Sequence, residues 1–101
     1  EMYYGGSGVT KDYTEAMNWY KKAADKDNDE AMLKIGKLYY NGYGITQNYT
    51  EALNWYSKAA KEDNVDAMKE ISAMYLTGTG VKKDKKLAQE WYDKAIAVET
   101  K

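Results

Sequence analysis

Asp25, Asp27 and Asp29 stand at alternate positions, the spacing with which a calcium-binding loop opens. Such a loop needs glycine at its sixth position and a bidentate glutamate at its twelfth. Those places hold Glu30 and Gly36, so the three carboxylates read instead as an exposed acidic turn that ends one helix and caps the next. Gly5–Gly8 (Gly-Gly-Ser-Gly) has the look of a phosphate cradle, but it lacks the Gly-Lys-Ser/Thr ending and any preceding strand, and it reads as a turn. Asn48-Tyr49-Thr50 satisfies the N-glycosylation spacing. Asn48 also precedes an apolar helical stripe, as Asp12 and Asp84 do, and helix capping accounts for it. Ser7, Ser57 and Ser72 are the serines of the chain, and none has a base at motif spacing. Histidine and cysteine are absent, which removes the commonest general base, the thiolate ligands and any disulfide. No catalytic residue, metal or cofactor is expected.

All 15 basic residues are lysine, set against 16 acidic ones, for a net charge of −1. A balance so close to neutral argues against nucleic acid as a partner, and without arginine there is no planar fork for phosphate or guanine. Lysines are densest at Lys82-Lys83-Asp84-Lys85-Lys86. Two of them fall in the first turn of an expected helix, where positive charge opposes the macrodipole by about 0.3–1 kcal/mol each. A solvated surface is the simple account of this run, and contact with an acidic partner is the alternative. No apolar stretch approaches membrane-spanning length and no signal-peptide pattern is visible, so no membrane contact is expected and the compartment is left open.

These residues are positioned by a repeat. Gly8, Gly44 and Gly80 are 36 apart, as are Ala16, Ala52 and Ala88, Trp19, Trp55 and Trp91, and Tyr20, Tyr56 and Tyr92. A period of this length belongs to stacked helical hairpins that cannot bury their apolar faces singly. Helices are expected over Tyr13–Asp25, Asp29–Asn41, Tyr49–Glu62 and Val65–Thr77, with a last one after Asp84. Asp12 with Glu15, and Asn48 with Glu51, have the capping-box spacing; Asp84 is followed by Leu87 instead. Gly42 with Gly44, and Gly78 with Gly80, supply positive φ for tight reversals. Gly36, mid-helix, costs roughly 1 kcal/mol against alanine and implies close approach of the partner helix, with Ser72 as the small residue one period later. The Trp-Tyr pairs are expected in the core between helices.

The run Ile35-Gly36-x-Leu38-Tyr39-x-x-Gly42-x-Gly44-Ile45, then Asn48-Tyr49-x-x-Ala52-x-x-Trp55-Tyr56-x-Lys58-Ala59-Ala60, closely resembles the Sel-one-like repeat (SLR), a subfamily of the tetratricopeptide-like solenoids. The resemblance covers nearly the whole chain. It implies an all-α, right-handed α/α solenoid of antiparallel hairpins that acts as a scaffold or adaptor for protein complexes. Asp27 and Asp63 stand where that family usually has glycine, and aspartate tolerates a left-handed turn better than most residues. The units divide as a partial repeat 1–28, a repeat 29–64 and a truncated repeat 65–101 in one domain, expected to be a piece of a longer array. Tyr13, Met17 and Tyr20 should then lack part of their cover, with Trp91 or Ile96 exposed at the other end.

First helices of successive hairpins line the concave face of such arrays. Positions there that the core does not claim are Tyr4, then Glu30, Leu33, Lys37, Tyr40 and Asn41, then Asp66, Lys69, Ala73, Leu76 and Thr77. They are the candidate surface for a partner peptide or helix. Two other functions are open. A cysteine-rich branch of the resembling family is associated with β-lactam binding or hydrolysis; it pairs cysteines between helices, and this chain has none. Apolar ends left by a truncated array would also favour self-association.

Overall fold

The computed structural model describes residues 10–101. Five helices follow one another among them, with no strand: α1 (Thr10–Ala24), α2 (Asp29–Asn41), α3 (Tyr49–Lys61), α4 (Val65–Thr77) and α5 (Lys85–Glu99). None is long and apolar enough to cross a membrane. α2 packs most closely on α3, and α4 on α5; α1 joins α2 and α3 joins α4 to complete one stack. The architecture is an all-α solenoid of hairpins. Its interior runs continuously through Ile35, Leu38, Tyr56, Ile71 and Met74, all almost wholly buried.

Local chemistry explains each boundary. Gly42 and Gly78 adopt the left-handed conformation at φ 70° and 73°, and their amides donate to the carbonyls of Leu38 and Met74 to close α2 and α4. The other reversals turn on Asp27 and Asp63, both at φ 64°. Asn28 and Asn64, rather than Asp29, cap the helices that follow; their side chains accept from the amides of Ala31 and Ala67. α1 begins at Thr10, earlier than expected, so Asp12 lies in its first turn and not before it. Asn48 and Asp84 do cap α3 and α5, accepting from the amides of Glu51 and Leu87 at 3.0 Å each. The reciprocal half of the capping box is replaced. The amides of Asn48 and Asp84 donate instead to the carbonyls of Tyr39 and Tyr75 at 2.9 Å, which is why Leu87 serves where Glu51 stood.

Gly36 lies against the Tyr56 ring, and a Cβ there would come within 2.6 Å of Cε1. Close helix approach is thus the reason for glycine mid-helix. One period on, Ser72 is buried and donates its hydroxyl to the Ala88 carbonyl at 2.7 Å. Gly44 and Gly80 rest on the Cβ atoms of Tyr13 and Tyr49 respectively.

Two expectations need correction. The indoles are not fully buried: Trp19 is 68% exposed, while Trp55 and Trp91 are half-buried and pack against the edge of the core. Each is covered on one side by the lysine three residues later, at 5.1 Å (Lys22), 4.3 Å (Lys58) and 4.7 Å (Lys94) from the ring centre. Nor are Tyr13 and Met17 uncovered. Both are buried, and Tyr43 stacks on Tyr13 at 5.5 Å. Tyr20, Trp91 and Ile96 are half-buried.

Candidate partner-binding surface

Helices α2 and α4 are one period apart, so equivalent positions form matching rows. Glu30, Lys37 and Asn41 are exposed on α2, and Asp66, Ala73 and Thr77 are exposed on α4. Spacings of seven and four residues keep such positions on one helical face. Asn41 Nδ2 donates to the Lys37 carbonyl at 3.0 Å, and the Thr77 hydroxyl donates to the Ala73 carbonyl at the same distance. Lys34 and the half-buried Glu70 complete the rows and were missed. The signal was available, since each falls four residues after Glu30 or Asp66. Lys34, Lys37, Leu38, Asn41 and Tyr43 border a shallow pocket of about 150 Å³.

The other candidates lie elsewhere. Leu33 is 3% exposed and belongs to the interior. Lys69 is half-buried and pairs with Glu99 at 3.1 Å across the α4–α5 seam; that bond holds its ammonium pKa above the usual lysine value. Tyr40 is half-buried, its ring edge-on to Tyr49 at 5.0 Å and 6.5 Å from Tyr56. Leu76, its counterpart one period later, is half exposed at 50%. Tyr4 and Gly5–Gly8 fall outside the described residues.

Among the described residues no three acidic side chains are placed to hold a metal ion. Of the three suspected calcium ligands, Asp27 shapes the turn and Asp29 accepts a hydrogen bond from Asn64 Nδ2 at 2.8 Å. Ser72 spends its proton on a backbone carbonyl, and Ser57 borders a cleft of about 390 Å³ beside Trp91, Met68 and Val98. A similar cleft of about 300 Å³ lies between Trp55 and the end of α1. These are open recesses between successive second helices.

No curated protein sequence matches the chain. Solved structures do. A Sel1 repeat protein from Oxalobacter formigenes is 41% identical, with a TM-score of 0.82 over 96% of this chain and 40% of its own. A protective antigen of uropathogenic Escherichia coli strains, described as displaying an SLR fold, is 35% identical, with a TM-score of 0.83 over 95% of this chain and 21% of its own. Cysteine rich protein B of Helicobacter pylori shares the fold at 23% identity, with a TM-score of 0.80 over 85% of this chain and 65% of its own. The chain thus spans less than half the length of the first two. The Sel1 repeat pattern matches residues 1–28, 29–64 and 65–97, and by that match the chain belongs to the Sel1 repeat family.

Proposed function

We propose that the chain is a recognition module that holds a peptide or helix of a partner protein along the exposed rows of α2 and α4. Sel1 repeat proteins are in general protein-interaction scaffolds. The observation that carries the finer reading is the repetition itself. Glu30, Lys34, Lys37 and Asn41 recur one period later as Asp66, Glu70, Ala73 and Thr77, open to solvent to differing degrees beside a buried core. A charge-mixed row of this kind gives orientation and specificity to an extended or helical ligand, while the rigid core beneath keeps the rows in register.

Peptides selected against the chain from a random display library test this directly. Lys37→Glu and Ala73→Glu should each weaken the selected peptides by roughly tenfold or more, the cost of misplacing one charge at an interface. Lys61→Glu, exposed at the end of α3, should leave them unchanged. Selected peptides that bind all three variants equally well would show the rows to be the wrong surface.

A further inference from the structure

The seams between successive second helices carry the same cleft twice. Between α1 and α3 it is lined by Met32, Trp55 and Lys58; one period later, between α3 and α5, Met68, Trp91 and Lys94 take their places. Each lysine lies against its own indole, at 4.3 Å and 4.7 Å from the ring centre, which holds a positive charge at that side of the cleft. Neither opening comes from where the chain stops. The first cleft is followed by the whole of α4 and α5, which leave it uncovered. The second is preceded by α1 and α2, which leave it uncovered too. Neighbouring hairpins on either side therefore do not close this seam.

Charge separates the two clefts. Asp25, just past the end of α1, faces the seam with Lys58 in the first; Lys61 holds the same repeat position and shares the second with Lys94. All four are exposed. Lys61 and Glu62 also border the first cleft, where Ala97 and Val98 border the second. Asp27 and Asp63, at equivalent turns, border both alike and do not distinguish them. Among the described residues, the carboxylates of Asp25, Asp27 and Glu62 thus outnumber the ammonium groups of Lys58 and Lys61 around the first cleft. Around the second, Lys61, Lys94 and Lys101 face the single carboxylate of Asp63. The second is also larger, about 390 Å³ against about 300 Å³, and Ala60, Met68 and Val98 give it an apolar lining.

We propose that the α3–α5 cleft binds a partner peptide through an apolar side chain placed next to an acidic one. The apolar side chain rests on Met68 and Val98, and its neighbouring carboxylate lies between the ammonium groups of Lys61 and Lys94. The α1–α3 cleft, with Asp25 in place of Lys61, repels the same carboxylate and selects against this ligand. The site belongs to the second helices, apart from the exposed rows of α2 and α4, and stands whether or not those rows bind.

The test is an NMR titration of the chain with a short glycine-serine peptide, blocked at both ends, that carries one leucine beside one aspartate. The three indole N–H signals report position. That of Trp91 should shift saturably, those of Trp19 and Trp55 should not, and the affinity should fall as salt rises. Changing the peptide's leucine to serine or its aspartate to asparagine should each weaken binding by about tenfold. Lys61→Asp should weaken it by at least as much, while Lys37→Glu should leave it intact; circular dichroism melts check that each variant is folded. Asp25→Lys combined with Glu62→Val gives the first cleft the rim of the second, and the Trp55 signal should then respond as well. The proposal is overturned if the Trp91 signal does not move, if the asparagine peptide binds equally well, or if Trp55 in the parent chain responds as strongly as Trp91. It is equally overturned if acetate alone produces the same shift at the same concentration, which would make the cleft a site for small anions only.

Discussion

Asn64 Nδ2 donates to Asp29 Oδ2 at 2.8 Å, joining two residues 35 positions apart in sequence. The other end of the same amide accepts from the Ala67 amide at 2.8 Å to cap α4. One buried side chain thus starts a helix and ties its turn to the first turn of the helix one repeat earlier. Asn64→Ala removes both bonds and should cost about 1–3 kcal/mol, as for a buried hydrogen-bonded cap. Asn28→Ala, which removes an exposed cap, should cost about 1 kcal/mol or less. Urea denaturation of the two variants compares them; equal losses would mean the link to Asp29 adds nothing.

Gly36→Ala sets two effects against each other. Helix propensity alone would stabilise α2 by roughly 1 kcal/mol. The new methyl would meet the Tyr56 ring at 2.6–2.7 Å, next to the Ala52 carbonyl at 3.3 Å. Overpacking of this kind costs typically about 1–3 kcal/mol, so the variant should be less stable. In a Tyr56→Leu background the same change should become neutral or stabilising, as thermal melts of the double-mutant cycle would show.

Asp63→Gly should act the other way. Asp63 sits at φ 64°, where a side chain costs on the order of 1–2 kcal/mol that glycine avoids. Glycine's greater freedom in the unfolded chain takes back about 0.5–1 kcal/mol, leaving a small net gain. A melting temperature a few degrees above that of the parent is expected, and a lower one would mean the aspartate makes contacts that outweigh its strain.

Burial, with smaller contributions from Glu70 and Tyr40, holds the Tyr56 phenol well above the usual tyrosine pKa. The sign follows from proton linkage. Below about pH 10 both states are protonated and the group is silent; above it the unfolded phenol ionises first and draws the equilibrium toward unfolding. Stability should therefore fall as pH rises past about 10, and Tyr56→Phe should reduce that slope. Chemical denaturation across the alkaline range measures it.

α2 and α4 were legible to the residue, and α3 ends one residue before the expected Glu62. α2 and α4 end where Gly42 and Gly78 permit a left-handed turn, and the alternation of buried positions shows through in Ala31, Met32, Ile35 and Leu38. The start of α1 was misplaced because Asp12 and Glu15 have the spacing of a capping box, which the structure does not use even at Asn48. The indoles were misjudged for a different reason. Periodic recurrence shows that Trp19, Trp55 and Trp91 are equivalent, yet it does not say which side of the stripe faces solvent. The lysine three residues after each was the available clue. Of the candidate surface, Glu30, Lys37, Asn41, Asp66, Ala73 and Thr77 are exposed in the structure. Leu33 and Tyr40 were harder to place, because their burial depends on neighbours distant in sequence and not on α2 alone.

Gly44 against Tyr13 and Gly80 against Tyr49 fix the distance at which one hairpin sits over the one before it. The spacing of these hairpins therefore depends on the aromatic near the head of α1 and of α3. Evolution could bend or open such an array by resizing that residue, leaving the fold of every hairpin unaltered.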